Sequence, residues 1–189
     1  MTPRLTRLAT NWVYGGTLAA LVLLILTPLL TRGWPLSQIL TWLSLPASMF
    51  HQYEEHDADR FRLFLGKMLG PPDALSVAEV FWINVLGVWG GMVAILWLTL
   101  TVNPGWGVVA AWFLLINGAV HIALAIALRR PNPGLWTALV LFLPLGTATL
   151  VSLAGQAGPL HHAAAIAVLL SLHIAIVGRV LHNRRRART

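Results

Sequence analysis

Six long runs of apolar residues alternate with short polar segments along the chain. Each run is 18 to 25 residues long and lacks the alternation of apolar and polar positions that is typical of strands. A helix needs about 20 apolar residues to cross the hydrocarbon core of a bilayer. The pattern therefore predicts an all-α, polytopic membrane bundle of about six transmembrane helices, over residues 12–30, 36–53, 77–101, 106–128, 135–153 and 160–181.

Turn-forming residues separate these runs. Pro, Gly and Asn are frequent in segments 31–35, 103–105, 129–134 and 155–159, and such residues end helices and form turns. No connection is long enough for a soluble domain, so we expect one transmembrane domain with a basic tail at 182–189. We expect the longest connection, residues 54–76, to lie at the membrane interface over the mouth of a site.

The composition agrees with this pattern. Hydrophobic residues make up 57% of the chain and charged residues 10%, whereas soluble domains contain about 25% charged residues. The nine Trp and 16 Gly fit a membrane protein, in which Trp lies at the interfaces and Gly allows close helix packing. Because the chain has no Cys, disulfides, thiolate nucleophiles and Cys-based metal sites are excluded.

The formal net charge of +7 indicates an orientation in the membrane. If the N-terminus is cytoplasmic, 11 Lys and Arg residues lie in inner segments and only Arg32 lies outside. Basic residues favour the cytoplasmic side, so we expect both termini there, in a prokaryotic cell membrane. The basic residues lie between apolar runs and in the tail, which indicates contact with anionic lipid and not with nucleic acid.

A dense polar cluster ends the second run, and all six acidic residues lie between positions 54 and 79. His51, Glu54 and Glu55 are spaced i, i+3 and i+4, so a continuing helix would place them on one face. The spacing leaves open which glutamate is a metal ligand and which a general base. His56 and Glu79 are secondary candidates: His56 points to another face, and Glu79 suits either a helix N-terminus or the mouth of a site.

Further polar side chains interrupt the apolar helices. Asn117 and His121 are one turn apart in the fourth run, and His173 lies in the sixth. At 1.5 Å per residue, His51, His121 and His173 each lie about 20–22 Å from the outer end of their helix. Asn84, a further secondary candidate, reaches a similar depth from the opposite side. Because polar groups at membrane depth are costly and mark functional sites, we expect one buried site in the cytoplasmic half.

These side chains match the ligands of one divalent metal ion. Imidazoles and a carboxylate suit Zn²⁺ or Fe²⁺, and a three-histidine site leaves a position open for water. The acidic residues come essentially from one helix, which favours one metal over a di-iron pair. Asn117 could orient His121 or hold a substrate oxygen. The predicted metal ligands are His51, Glu54, Glu55, His121 and His173, and the predicted catalytic residues are Glu54, Glu55 and Asn117.

The cluster His51-x-x-Glu54-Glu55 resembles the defining motif of the HXXEE family of small bacterial and archaeal membrane proteins. Asn117-x-x-x-His121 and His173 resemble companion polar positions of that family, so the resemblance covers roughly residues 36–179. It implies an active site at these residues and gives no substrate and no mechanism.

Three classes of function remain open at this stage. The first is a metal-dependent membrane enzyme that acts on a lipid-like or other apolar substrate, by hydrolysis with metal-activated water or by iron-dependent oxidation. The second is a proton-coupled transporter or channel that uses the His/Glu layer as a relay. The third is a haem-handling or assembly protein. Stoichiometric Zn or non-haem Fe favours the first, transport in metal-free liposomes the second, and a Soret band the third.

Overall fold

The computed structural model describes residues 2–69 and 74–186, and all regular structure within these ranges is helical. Six long helices follow the six apolar runs, and a short helix lies in the connection after the second. They are α1 (Pro3–Leu30), α2 (Leu36–His56), α3 (Arg60–Leu69), α4 (Val77–Thr101), α5 (Pro104–Leu128), α6 (Leu135–Ser152) and α7 (Pro159–Arg186). The predicted all-α, polytopic bundle is confirmed. Residues 187–189 of the predicted basic tail lie outside the described ranges.

The first, second and last long helices extend beyond the apolar runs. α1 begins at Pro3 instead of residue 12, because the hydroxyl of Thr2 accepts a hydrogen bond from the backbone N–H of Leu5 and caps the helix. α2 continues to His56, and α7 continues through the basic residues to Arg186. Hydrophobicity thus marks the part of each helix that lies at membrane depth, whereas capping decides where the helix ends.

Five of the helices, α1 and α4 to α7, are long and apolar enough to cross a membrane. Their outer faces carry large apolar side chains such as Ile25, Ile126 and Ile174, each at least 70% exposed. Contiguous exposed apolar surface of this kind is typical of contact with lipid. Length and surface together indicate an integral membrane protein.

The helix α2 has 21 residues and is too polar to belong to that set of five, and it lies in the interior of the bundle. Ser44 and Ser48 are fully buried, and each hydroxyl donates to a carbonyl of its own helix. The main hydrophobic cluster packs Leu45 and Met49 of α2 against side chains from the other five long helices. Polar residues at the C-terminal end of α2 are therefore surrounded by protein and not by lipid.

Two of the helices contain π-helical segments beside α2. They are Ile83–Gly90 in α4 and Ala138–Phe142 in α6. Such segments are often found at functional sites, because the extra residue in the turn redirects side chains. Here Asn84 accepts a hydrogen bond from Gln52, near the C-terminal end of α2. The ring of Phe142 lies 4.1 Å, centroid to centroid, from the ring of His51.

Candidate metal centre

The C-terminal end of α2 contributes two buried ionisable side chains to the core. His51 is 2% exposed and Glu55 is 8% exposed. They are one turn apart, and the distance from His51 Nε2 to Glu55 Oε2 is 3.8 Å. The i, i+4 spacing therefore places both on the interior face, as the sequence predicted for this pair.

The third member of the cluster, His121, comes from α5. It is buried, its ring lies 4.8 Å from that of His51, and its Nε2 lies 3.7 Å from Glu55 Oε1. One ligand atom from each of these three side chains lies within 4.8 Å of the other two. His51, Glu55 and His121 are the candidate ligands of one metal ion, and these three residues are called the metal cluster below.

The tautomer of His121 follows from its hydrogen bonds. The Asn132 amide nitrogen donates to the backbone carbonyl of His121 at 2.8 Å, which fixes the orientation of the amide. Its oxygen therefore faces His121 Nδ1, at 2.7 Å, and accepts the proton of that nitrogen. In the neutral ring, Nε2 is left with a lone pair directed towards Glu55.

His51 is oriented in the same way from the start of α6. The Thr137 hydroxyl donates its one proton to Glu54 Oε2, at 2.6 Å, so its oxygen accepts from His51 Nδ1 at 2.9 Å. His51 Nε2 is buried and has no hydrogen-bond partner in the described part of the chain. Each histidine thus donates from Nδ1 to an orienting partner, as metal-bound histidines almost always do.

The converging atoms of the metal cluster could hold a metal ion between them. Two imidazole lone pairs and a carboxylate repel one another in a buried environment, where polar groups without partners are destabilising. An ion bound at about 2.1 Å by each ligand would bring the ligand atoms to roughly 3.4 Å of one another in tetrahedral geometry. His51 Nε2 lies 3.8 Å from Glu55 Oε2 and His121 Nε2 lies 3.7 Å from Glu55 Oε1, both close to that spacing. With one ligand atom taken from each side chain, the three atoms lie within 4.8 Å of one another.

The loop between α5 and α6 lies directly against both imidazoles. Gly134 has a φ of +92°, which favours glycine. A Cβ atom at this position would lie 2.7 Å from His121 Cε1 and 2.8 Å from His51 Cε1. Only a residue without a side chain allows the loop to approach both imidazoles this closely, so the packing of the site requires glycine at position 134.

Glu54 is directed away from the metal cluster. Its carboxylate accepts hydrogen bonds from the backbone N–H groups of Trp136 and Thr137, at 3.1 and 2.6 Å, in the first turn of α6. An acidic group in this position stabilises a helix N-terminus. The two adjacent glutamates thus lie in different surroundings, Glu55 in the cluster and Glu54 at α6, where it holds Thr137 against His51.

His173 and Asn117 line the same cavity as the metal cluster but are not members of it. His173 Nδ1 lies 2.8 Å from the backbone carbonyl of Leu169, one turn earlier in its own helix. Asn117 Oδ1 is buried and has no hydrogen-bond partner among the described residues. The structure therefore brings together two of the three predicted histidines and one of the two glutamates.

The secondary candidates have different surroundings. His56 Nε2 lies 3.2 Å from Glu55 Oε2, and the His56 ring packs beside Trp12. Asn84 accepts a hydrogen bond from Gln52, at 2.8 Å, and donates to the carbonyl of Val80 in its own helix. These contacts form a second layer of polar groups behind Glu55.

Glu79 lies at the start of α4, where the sequence left two roles open. It forms a capping box with Ser76 and an ion pair with Arg179 of α7. The ion pair links the C-terminal part of α7 to the start of α4. Glu79 therefore acts as a helix cap and as a link between two helices.

The cavity beside the metal cluster has a volume of about 170 Å³. Side chains from α2, α4, α5, α6 and α7 line it, together with Phe61 of α3, and most of them are apolar. The short helix α3 thus contributes one side chain to the cavity wall, and the interfacial position of the connection over residues 54–76 stays a prediction. Residues 70–73 of that connection lie outside the described ranges.

The sequence analysis treated Asn132, Gly134 and Thr137 only as parts of a turn and of an apolar run. Asn132 and Gly134 lie in a Pro-Asn-Pro-Gly segment, which is an ordinary turn signal. Their position in the chain could have identified them, since this loop follows the C-terminal end of the helix that carries His121. A loop at the level of a buried site is a natural source of orienting groups.

A family model described as "Protein of unknown function with HXXEE motif" matches residues 42–149, more than half of the chain. The matched range contains the whole metal cluster, Glu54 and the three orienting residues of the loop and α6. It ends before His173, so the family match is narrower than the resemblance drawn over residues 36–179. Searches of curated proteins and of solved structures gave no significant match.

Proposed function

The chain belongs to the family of proteins of unknown function with the HXXEE motif, and we propose that it is a metal-dependent membrane enzyme. One observation carries this proposal: the lone pairs of His51 Nε2 and His121 Nε2 converge on the buried carboxylate of Glu55. In the proposal, these three side chains hold one divalent ion. Thr137 and Asn132 hold the two imidazoles in the ligating orientation.

The donor set favours a catalytic ion over a structural one. Structural zinc sites are closed by four protein ligands, whereas catalytic sites use three and keep a position for water or substrate. The metal cluster supplies three ligands and borders a cavity. Two histidines with one carboxylate are used both by zinc hydrolases and by non-haem iron oxygenases, so we propose Zn²⁺ or Fe²⁺.

The surroundings support a lipid-like substrate. The cavity is lined mainly by apolar side chains and lies among helices whose outer faces suit lipid. When bound, the metal would supply an activated water for hydrolysis or a centre for oxidation. The chain's own residues hold the ion, provide an apolar chamber and exclude bulk water. No contact with nucleic acid is part of this proposal.

The orientation belongs to the same proposal. Arg60, Arg130 and Arg184 lie at the end of the bundle that holds the metal cluster, because α2 and α5 end there and α7 reaches it with its last turns. By the positive-inside rule this end is cytoplasmic, and both termini lie there. The site would then occupy the cytoplasmic half of a prokaryotic cell membrane.

A proton relay is the second candidate, and one observation favours it. Glu55 is approached by His56 as well as by the two cluster histidines, so that a continuous row of ionisable groups runs from His51 to His56. Such rows carry protons in membrane transporters. A haem-handling role has less support, because both Nε2 atoms point at the same carboxylate and leave no space for a porphyrin between them.

The metal content of the purified protein tests the proposal. The full chain is expressed without an affinity tag, with Zn and Fe supplied, and is freed of loosely bound ions before elemental analysis. We expect about one metal per chain, lost in Glu55→Gln and retained in Glu54→Gln, which is the same change at the adjacent residue. His121→Ala should lose metal, whereas His182→Ala, on the exposed end of α7, should not. Wild-type protein with well under one metal per chain would contradict the proposal.

A further inference from the structure

Besides the metal cluster and the polar residues Ser48, Gln52, His56 and Asn84, the cavity has two polar side chains, Asn117 and His173. Asn117 lies on α5, one turn before His121, and His173 lies on α7. Both line the cavity, and most of its other lining residues are apolar, such as Phe113, Leu172 and Ile176. Polar groups in such a wall are costly unless something pairs with them.

The hydrogen bond of His173 defines what this residue offers to the cavity. A backbone carbonyl can only accept, so His173 Nδ1 must donate its proton to the carbonyl of Leu169, at 2.8 Å. In the neutral ring, Nε2 is then an acceptor. Nε2 makes no hydrogen bond to the residues that the structure describes, and the ring faces the cavity.

Asn117 also presents an acceptor without a partner. Its Oδ1 atom is buried and makes no hydrogen bond within the described ranges. Native proteins pair the large majority of buried polar atoms, so an exception indicates a missing partner. Asn117 Oδ1, which is buried and unpaired, and Nε2 of the half-buried His173 are two acceptors in one cavity wall, and a ligand with a hydrogen-bond donor would pair with one of them.

We infer that the cavity binds an apolar alcohol, whose hydroxyl group donates to Asn117 Oδ1 or to His173 Nε2. This inference rests on the proposed function, since it names the substrate class of the same site. A hydroxyl also accepts, and the Asn117 amide nitrogen can donate to it. Ketones, esters and ethers have acceptors only, so they leave both protein acceptors unpaired. The hydroxyl would lie about one helical turn, roughly 6 Å, from His121.

The size and walls of the cavity limit the rest of the ligand. A cavity of about 150 Å³ holds a benzene molecule, so 170 Å³ accommodates the hydroxyl and a hydrocarbon part of about that size. No residue of α7 between Leu169 and Val180 is buried, and Leu172 and Ile176 are only half-buried. A longer hydrocarbon chain would therefore leave the cavity beside α7 and extend into lipid.

Three small probes with the same number of heavy atoms test this inference: cyclohexanol, cyclohexanone and methylcyclohexane. They offer, in order, a donor with an acceptor, an acceptor alone, and neither. Each is titrated by calorimetry into the full chain in detergent. We expect cyclohexanol to bind about tenfold more tightly than cyclohexanone, which is close to it in size and polarity, the change expected for one hydrogen bond. Methylcyclohexane measures the binding of the hydrocarbon part alone. Asn117→Leu and His173→Leu should each weaken that preference, while His182→Leu, the matched change outside the cavity, should not.

A spectroscopic measurement separates this role from a structural one. If the hydroxyl donates to His173 Nε2, cyclohexanol should shift the ¹⁵N resonance of that atom; if it donates to Asn117 Oδ1, the side-chain carbonyl ¹³C resonance of Asn117 should shift instead. Cyclohexanone should not shift His173 Nε2, because only the alcohol can donate to that atom. Measured on the wild-type protein alone, equal binding of the three probes, no binding, or tighter binding of the ketone would overturn the inference. Elemental analysis of the same samples keeps the two proposals distinct. Selectivity for the alcohol in a protein that holds no metal contradicts the metal centre alone, and bound metal without selectivity contradicts the alcohol site alone.

Discussion

Replacement of Gly134 by alanine tests how closely the loop between α5 and α6 controls the metal cluster. The added Cβ atom would lie 2.7 Å from His121 Cε1 and 2.8 Å from His51 Cε1. Carbon atoms in contact are normally about 3.5–4.0 Å apart. Each imidazole must therefore move by roughly 0.8 Å, or the loop must move by a similar amount.

The expected loss of metal affinity follows from these distances. Metal–ligand bonds tolerate deviations of only about 0.2 Å, and loss of an orienting contact to a ligand typically lowers affinity by 10–100-fold. We expect Gly134→Ala to weaken metal binding by at least that factor. A second effect acts on stability, because a residue with a Cβ atom at a φ of +92° costs about 1–2 kcal/mol.

Gly33→Ala is the matched control for this prediction. Gly33 has a φ of +80°, and a Cβ atom there would meet nothing within 4 Å. It carries the same backbone penalty without contact with any imidazole. Both variants are loaded with Zn²⁺ and titrated with a competing chelator, and their thermal unfolding is recorded. If Gly134→Ala holds the metal as tightly as Gly33→Ala, the loop does not position the ligands and the reasoning is refuted.

Three further predictions concern the orienting hydroxyl, the remaining histidine and the topology. Thr137→Val should lower metal affinity about 10–100-fold, and Thr137→Ser, which keeps the hydroxyl, should not. If chelator titration finds no loss in the valine variant, Thr137 does not orient His51. His173→Ala should keep the metal content of the wild type, because His173 lies outside the cluster, whereas loss of metal on elemental analysis would make it a ligand. Cysteines placed singly at the exposed positions Pro131 and Ala154 should lie on opposite sides of the membrane. In intact cells an impermeant maleimide should label only Ala154→Cys, and the reverse result would invert the orientation.

The architecture could be predicted from the sequence because one physical requirement dominates it. Apolar runs of sufficient length must form helices in a bilayer, since no water is present to satisfy a free backbone. The sequence predicts α2 as one of six transmembrane helices; a long helix does form there, but it is not among the five that are long and apolar enough to cross a membrane. Its interior position follows from the same rule, because a helix with Ser44, His51 and Glu55 on one face cannot present that face to lipid.

The site could be predicted in part. Helical spacing correctly paired His51 with Glu55, and depth along the helix correctly brought His121 to the same level. Depth fixes one coordinate only, however. It gives neither the direction in which a side chain points around its helix nor the lateral distance between helices. For this reason His173 lines the cavity but is not a member of the metal cluster, and its Nδ1 is hydrogen-bonded to its own helix.

The division of roles between Glu54 and Glu55 could not be read from the sequence. Adjacent residues on a helix point about 100° apart, so only one of them can face a given neighbour. Glu54 faces the first turn of α6, and its partners are backbone N–H groups, which any sequence provides. The orienting residues Asn132 and Thr137 were missed for a related reason, because their contacts cross between helices.

X-ray absorption spectroscopy at the metal edge of the purified, untagged full chain tests the central claim most directly. The account predicts about one Zn or Fe per chain, with a first shell of nitrogen and oxygen at roughly 2.0–2.2 Å and the outer scattering of two imidazoles. Glu55→Gln should abolish this spectrum, and Glu54→Gln should preserve it. A spectrum without imidazole scattering, or protein with well under one metal per chain, would contradict the claim that His51, Glu55 and His121 form a metal centre.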